Sequence, residues 1–212
     1  MEDHSCWRCG STDSASLFCQ FCNSLQRPVT DYYRFFGLDK RLSLDAAELQ
    51  ARFYALSRKL HPDLYTRANP DEQRHSLEAA SILNDGYRVL RDPVLRAEYM
   101  LKENHFDVAE QRTKDVPPEL LEEVFDLNMQ LDELRSGDLD ARAPLAESGS
   151  RFKAMLAVID SELQLLFTAY DAAPEGEPRR AELARIRALL NRRRYISNLV
   201  SEVDKVLAEH ES

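Results

Sequence analysis

The sequence lacks several features, and each absence narrows the class of protein. No cysteine follows Cys22, which excludes a disulfide framework for most of the 212 residues. Only six glycines occur and 31% of the residues are charged, so the chain is neither collagen-like nor of low complexity. No apolar run is long enough to cross a membrane. The first residues resemble neither a secretory leader nor a transit peptide, so we expect a cytoplasmic protein that binds no membrane.

Basic residues are also fewer than acidic ones, with 28 Lys and Arg against 37 Asp and Glu. The formal net charge is -9, and residues 117–212 contain 12 Lys and Arg against 19 Asp and Glu. A nucleic-acid binder must neutralise phosphates with Lys and Arg, so this balance argues against nucleic acid as the main partner. Hydrophobic residues make up 43% of the chain, which is enough for one large domain or two to three small ones with real cores.

The common catalytic motifs are missing as well. The sequence contains no glycine-rich phosphate loop, no G-x-S-x-G and no H-E-x-x-H. We therefore expect no catalytic residues and no directly bound nucleotide. The alternative is an enzyme that uses His61 and Asp63 or the C-x-x-C thiols, but an exposed turn does not shift pKa values as a cleft does.

All cysteines lie in the first 22 residues, as two C-x-x-C pairs separated by nine residues: Cys6, Cys9, Cys19 and Cys22. Two such turns present four thiolates to one point, which is the tetrahedral site that structural zinc prefers. We expect a small zinc module over residues 1–28, with the metal covered by Trp7, Phe18 and Phe21. An iron–sulfur cluster is the main alternative. Two disulfides or a redox dithiol are disfavoured in a reducing compartment without a βαβ pattern.

A helix with two different faces is predicted after Asp45. Leu49, Phe53, Leu56 and Leu60 recur at spacings of four, three and four, which places them on one buried face. Asp45 and Glu48 have the spacing of a capping box. The polar face of the same helix carries three basic residues: Arg52, Arg58 and Lys59.

The tripeptide His61-Pro62-Asp63 ends this helix. Proline lacks an N–H and restricts the residue before it, so His61 and Asp63 should project from a stiff, exposed corner. Asn69 and Pro70 then begin a second long helix, and Asp92-Pro93 begins a shorter one that ends near residue 103. A short aromatic helix over residues 31–37 precedes the basic one. By itself H-P-D favours simple turn chemistry over a functional site, because tripeptides recur by chance.

The order of these elements over residues 29–106 resembles the J domain of DnaJ-type co-chaperones. The resemblance rests on the H-P-D loop, the basic helix before it, Asn84 and Tyr87 on the next helix, and the final R-A-E-Y. It implies that six residues dock on an acidic surface of a DnaK-type ATPase chaperone and trigger its ATP hydrolysis: His61, Pro62, Asp63, Arg52, Arg58 and Lys59. A basic helix and a rigid tip suit such a surface. An ordinary solvated helix face is the simpler interpretation of the basic residues.

The last hundred residues predict a three-helix bundle over 117–212, after a polar connector at 107–116. Apolar residues follow a heptad spacing in segments 118–135 (Leu120, Val124, Leu127, Leu131 and Leu134), 151–170 (Phe152, Leu156, Ile159, Leu163, Leu166 and Tyr170) and 179–209 (Leu189, Ile196, Leu199, Val203 and Leu207). The first segment has a second apolar stripe, Leu121, Phe125 and Met129, about 100 to 180° from the core stripe. Acidic Glu122, Asp126 and Glu133 lie beside it, as expected of a docking site. The alternative is that this helix packs against two neighbours or against the preceding helical domain and buries both stripes.

A J domain preceded by a four-cysteine module and followed by an acidic bundle resembles the HscB family of iron–sulfur cluster co-chaperones. The fold class implied is all-α: a J-domain helical hairpin, then a three-helix bundle, with a small N-terminal zinc knuckle. In that family the bundle binds a cluster scaffold protein of the IscU type. The matching positions here are Leu121, Glu122, Phe125, Asp126, Met129, Glu133 and Tyr195.

Two of these positions depart from the family pattern, because Glu122 replaces a common apolar residue and Met129 a common acid. The resemblance implies a co-chaperone that presents the scaffold to an HscA-like chaperone and stimulates its ATPase, promoting cluster transfer. A general J-domain protein that delivers unfolded clients is the alternative. The zinc module is expected to stabilise the chain or to mediate a homodimer.

Overall fold

The computed structural model describes residues 5–12, 16–106 and 120–210 and divides into two compact units, Met1–Tyr99 and Met100–Ser212. Helices form nearly all the regular structure of the described residues, and the β-pairing among them is limited to two isolated bridges, Ser5 with Thr12 and Phe18 with Leu25. The expected all-α class is confirmed. Among the described helices, none has the length and apolarity needed to cross a bilayer. The expected connector at 107–116 lies outside the described residues.

The first unit contains the predicted helices in the predicted order. They are α1 (Tyr32–Phe36), α2 (Ala46–Leu60), α3 (Pro70–Arg91) and the first part of α4 (Pro93–Glu103), whose last four residues belong to the second unit, with one turn of 3-10 helix at Pro62–Tyr65. The side chains of Asp31, Asp45 and Asn69 each accept a backbone N–H at the start of a helix. Side-chain caps of this kind explain why these helix starts could be read from the sequence.

The hairpin of α2 and α3 holds the H-P-D corner in place. Leu49 and Leu60 of α2 are buried, and Phe53 stacks on Tyr87 of α3 with ring centroids 4.3 Å apart. The hydroxyl of Ser76, also on α3, donates to the Leu60 carbonyl at 2.8 Å. The last turn of α2 is therefore fixed by apolar contacts and by a buried hydrogen bond immediately before the corner.

The second unit contains α5 (Leu121–Arg135), a 3-10 turn (Leu139–Ala141), α6 (Arg142–Ala172) and α7 (Glu177–Glu209). Helix α6 begins nine residues before the predicted residue 151. The additional segment contains small and polar residues, of which Ser148 and Gly149 are buried. A Cβ at Gly149 would lie 2.9 Å from Val203 Cγ1 of α7, so close packing of these helices requires glycine here.

The predicted core stripe is correct for α5 and only partly correct for the two longer helices. Four of the stripe residues predicted on α6 and α7 are only half-buried: Leu156, Leu166, Leu189 and Leu207. Phe167, Leu190 and Val206, which the heptad spacing missed, are buried instead. In a straight helix, residues seven positions apart differ in direction by about 20°. Over helices of this length, residues at a strict seven-residue spacing therefore rotate away from the buried face.

Candidate functional site

The four-cysteine module consists of two turns with the same hydrogen-bond pattern. In the first turn the Cys6 N–H donates to the Ser11 carbonyl at 2.8 Å, and the Gly10 N–H donates to the Cys6 carbonyl at 2.9 Å. In the second turn the corresponding bonds are Cys19 to Ser24 at 3.0 Å and Asn23 to Cys19 at 2.9 Å. The two turns therefore have the same backbone structure.

A left-handed residue follows the second cysteine of each turn. Gly10 has φ 71° and Asn23 has φ 55°, and glycine and asparagine are the residues that adopt this region most readily. A serine follows each of them, and its hydroxyl lies 2.9 Å (Ser11) or 3.1 Å (Ser24) from the preceding cysteine sulfur. The repeat C-x-x-C-[G/N]-S is visible in the sequence and is a signal that the spacing argument missed.

The geometry of the four sulfur atoms suits a single metal ion. All four lie within 4.8 Å of one another, with Cys6 Sγ to Cys22 Sγ at 3.7 Å and Cys9 Sγ to Cys19 Sγ at 3.8 Å. A tetrahedron with metal–sulfur bonds of about 2.3 Å has edges of about 3.8 Å. Disulfide bonds would require about 2.05 Å, and all four cysteines are free. The donor set and its dimensions therefore fit one tetrahedrally bound ion.

Cys6 is favoured as a thiolate. Burial by itself would raise the pKa of the thiol, but backbone N–H groups of Cys9 and Arg8 and the Ser24 hydroxyl outweigh it and lower the pKa to about 5. The Gln26 amide donates to the same sulfur at 3.4 Å. A thiolate is the form of cysteine that binds a metal, so this sulfur is suited to be a metal ligand at neutral pH.

The module packs on α3 through Trp7 rather than enclosing the metal in aromatic rings. The Trp7 indole donates to the Leu25 carbonyl at 2.8 Å, and its ring meets the buried His75 edge to face. Leu25 is also buried. Phe21, which we expected to cover the metal, is 73% exposed, so that expectation is wrong. Its position between Cys19 and Cys22 points it away from the interior.

The second candidate site is the corner at His61-Pro62-Asp63. The side chains of His61 and Asp63 are 58% and 84% exposed. Side-chain hydroxyls stiffen the loop by donating to its backbone, from Tyr65 to the Lys59 carbonyl at 3.0 Å and from Thr66 to the Asp63 carbonyl at 3.2 Å. The corner therefore has accessible polar side chains on a constrained backbone.

The protonation state of His61 determines what its ring does. Its Nδ1 lies 3.3 Å from the Asp63 N–H, which donates when that nitrogen is unprotonated. The same nitrogen lies 3.5 Å from the Asp63 carboxylate, with which it forms an ion pair only when it carries a proton. In either state the contacts within the loop use Nδ1, and Nε2 is the other hydrogen-bonding atom of this exposed ring.

The three basic residues of α2 have different environments. Arg58 and Lys59 are exposed, and neither side chain makes an ion pair or hydrogen bond within the part of the chain that the structure describes. Arg52 instead donates to the carbonyls of Phe36 at 3.0 Å and Gly37 at 2.7 Å. Its remaining nitrogens contact the Glu48 carboxylate, the group that the capping-box expectation had placed back on Asp45. The structure thus uses Arg52 to attach α1 to α2.

The third candidate site is the outer face of α5, hereafter the α5 patch. Leu121, Phe125 and Met129 are 55%, 64% and 49% exposed, whereas the core stripe of the same helix is buried. Packing within the second unit therefore leaves this stripe uncovered. With Glu122, Asp126 and Glu133, which are also exposed, the apolar residues span an arc of about 140°. Tyr195 belongs to α7 and is half-buried, and burial raises the pKa of its hydroxyl.

Comparison with known proteins identifies the family. The DnaJ domain matches residues 31–99, and the HSCB C-terminal oligomerisation domain matches residues 116–204. A co-chaperone protein HscB homolog from Vibrio vulnificus is 34% identical over 138 residues, which cover 63% of this chain and 80% of that protein. The chain belongs to the HscB family.

Other HscB proteins match most of the chain. The human iron-sulfur cluster co-chaperone protein HscB is 24% identical over 204 residues, covering 93% of this chain and 80% of that protein. The crystal structure of human HscB has a TM-score of 0.70 at 24% identity and covers 94% of this chain, which establishes the fold. The structure of HscB from Vibrio cholerae has a TM-score of 0.57 at 26% identity. The expected J domain, HscB-type bundle and co-chaperone class are confirmed.

Proposed function

We propose that this chain links an iron–sulfur cluster scaffold protein to a DnaK-type chaperone and catalyses no reaction itself. The bundle binds a scaffold of the IscU type. The J domain stimulates the ATPase of an HscA-like chaperone, so that the scaffold is captured and cluster transfer is promoted. The observation that carries the proposal is the presence of two exposed, chemically different surfaces on two separate units of one chain.

The chaperone side of the proposal rests on the H-P-D corner and the end of α2. The exposed charges of Arg58 and Lys59 are free to steer the domain toward an acidic surface, and a rigid loop loses little entropy on binding. The Nε2 atom of His61 and the carboxylate of Asp63 then offer a donor and an acceptor. Because Arg52 is already hydrogen-bonded within the domain, we propose that it acts mainly by positioning α1 against α2.

The scaffold side rests on the α5 patch. An exposed apolar strip bordered by carboxylates is the composition of a protein-binding surface whose centre excludes water and whose rim is charged. We propose that Leu121, Phe125 and Met129 form the centre, and that Glu122, Asp126 and Glu133 select a partner with basic residues. Tyr195 on α7 is proposed to contact the scaffold as well.

The metal of the N-terminal module is proposed to be a structural zinc. Four cysteine sulfurs at tetrahedral spacing without a free position are typical of structural rather than catalytic zinc sites. A module of this size has too few apolar residues to remain folded without its ion. Metal analysis of the purified protein tests the assignment: one zinc per chain supports it, and iron instead of zinc would contradict it.

The function is tested by the ATPase rate of the chaperone with scaffold present. We expect His61→Gln to abolish the stimulation and to leave scaffold binding unchanged. We expect the double variant Leu121→Ala, Phe125→Ala to lose scaffold binding and to retain the basal stimulation by the J domain. Loss of both activities in either variant would contradict the division of labour. Binding of many unfolded peptides by the bundle would favour a general J-domain protein.

A further inference from the structure

A groove of about 350 Å³ lies between the four-cysteine module and the J domain, inside the first unit. The module contributes Trp7, Leu17 and Arg27 to its walls, while α1 and α3 contribute Arg34, Phe35, Asp71, Arg74 and His75. Both parts of the unit are therefore needed to form it. Its volume is at the lower end of the range for ligand sites, which suits a few side chains and excludes a folded domain.

The groove combines an apolar floor with a basic rim. Its apolar surface comes from Phe35 with the half-buried Leu17 and Val29, and the buried rings of Phe35 and His75 are hereafter called its floor. Three arginines line the walls, and only Arg74 is neutralised, by an ion pair to Asp71 at 2.7 Å. Arg27 and Arg34 are exposed, and across the described ranges neither side chain has an ion pair or hydrogen bond. Two uncompensated guanidinium groups thus face one cavity on a chain whose net charge is -9.

Charge complementarity determines the kind of ligand. Two free guanidinium groups bind carboxylates well, and each can do so with two parallel hydrogen bonds. The apolar floor adds a preference for a hydrophobic side chain between those carboxylates. Single-stranded nucleic acid would also satisfy the arginines, but it stacks successive bases on a series of aromatic faces, and Trp7 is the only aromatic residue of the lining that is exposed.

We propose that this groove binds a short acidic peptide segment of a partner protein, with a leucine or a similar side chain on the Phe35–His75 floor and carboxylates on Arg27 and Arg34. The site is separate from the H-P-D corner and from the α5 patch. It gives the four-cysteine module a binding role, because one wall of the groove exists only while the module is folded.

The test is fluorescence anisotropy with the full, metal-loaded chain and a dye-labelled peptide of sequence EEDLLDEE. We expect saturable binding that weakens between about 50 mM and about 500 mM salt, as for exposed ion pairs. The double variant Arg27→Glu, Arg34→Glu should weaken binding at least about tenfold. Arg67→Glu is the matched control, since Arg67 is exposed in the same unit and does not line the groove; it should change the dissociation constant less than about twofold.

Two further peptides and a chelator test separately the need for acidic residues, for leucines and for the folded module. A peptide with lysines in place of the acids should not bind, and one with serines in place of the leucines should bind more weakly. Removing the metal should abolish binding. The proposal is overturned if the double variant binds as well as the unaltered protein while its Trp7 emission shows the module still docked. It is also overturned if the leucines make no difference, or if an oligothymidylate competes more effectively than the peptide.

Discussion

Replacing Leu121 and Phe125 together by alanine separates binding from folding. Burying a large apolar side chain completely is worth about 1.5 to 3 kcal/mol. Leu121 and Phe125 are already 55% and 64% exposed, so less than half of that contribution is made in the free protein. Alanine has a higher helix propensity than leucine or phenylalanine, which offsets part of the loss in the free energy of unfolding. We therefore expect the free energy of unfolding to fall by only about 1 kcal/mol.

The effect on scaffold affinity should be larger. In the proposed complex both side chains become fully buried at the centre of a small interface, where truncating an anchor costs about 2 kcal/mol or more. The double variant should therefore bind the scaffold at least about 30-fold more weakly. Isothermal titration calorimetry measures the affinity, and urea unfolding followed by circular dichroism measures the stability of the same preparation.

The matched control is Leu127→Ala on the same helix. Leu127 is fully buried, so its truncation should lower the free energy of unfolding by about 2 to 5 kcal/mol, with little direct effect on the affinity of the molecules that remain folded. If the double variant is destabilised as much as Leu127→Ala, its residues belong to the core and the reasoning fails. Unchanged affinity of the double variant would refute the proposed interface.

Three further predictions concern the first unit. Chelating the metal should unfold the module and shift the emission of Trp7, the only tryptophan, to longer wavelength; an unchanged spectrum would mean that the metal does not hold the fold. Arg52→Ala should lower the free energy of unfolding by about 1 to 2 kcal/mol through loss of its bonds to two carbonyls, whereas Arg58→Ala should leave stability unchanged in the same urea titration. Ser76→Ala should cost about 1 to 2 kcal/mol because it leaves the buried Leu60 carbonyl without its partner, and a loss below about 0.5 kcal/mol would show that the bond is dispensable.

The features that could be predicted from the sequence are those determined by local chemistry. Proline at position 62 ends α2 wherever the rest of the chain lies, so the exposed corner followed from the sequence. The capping residues Asp31 and Asn69 also act locally, because each side chain accepts a backbone N–H where a helix begins. The cysteine spacing similarly indicated one metal ion before any distance was known, and the sulfur positions agree with that expectation.

The features that could not be predicted depend on contacts between distant residues. Whether the second stripe on α5 is exposed or buried depends on which helices pack against it. The spacing of apolar residues does not identify those helices. The start of α6 was missed because Ser148 and Gly149 are typical loop residues unless a neighbouring helix approaches closely. Arg52 has the same local pattern as Arg58, and only the position of α1 separates a positioning residue from a free charge.

The central claim is that one polypeptide must carry both surfaces. The most direct test mixes two defective proteins, His61→Gln and the double variant Leu121→Ala, Phe125→Ala, in the chaperone ATPase assay with scaffold. Each supplies the surface that the other lacks. The account predicts that the mixture stimulates no more than the double variant alone, because the scaffold-bound molecules cannot engage the chaperone. Restoration of the full scaffold-dependent rate by the mixture would show that the two surfaces act independently and would contradict the account.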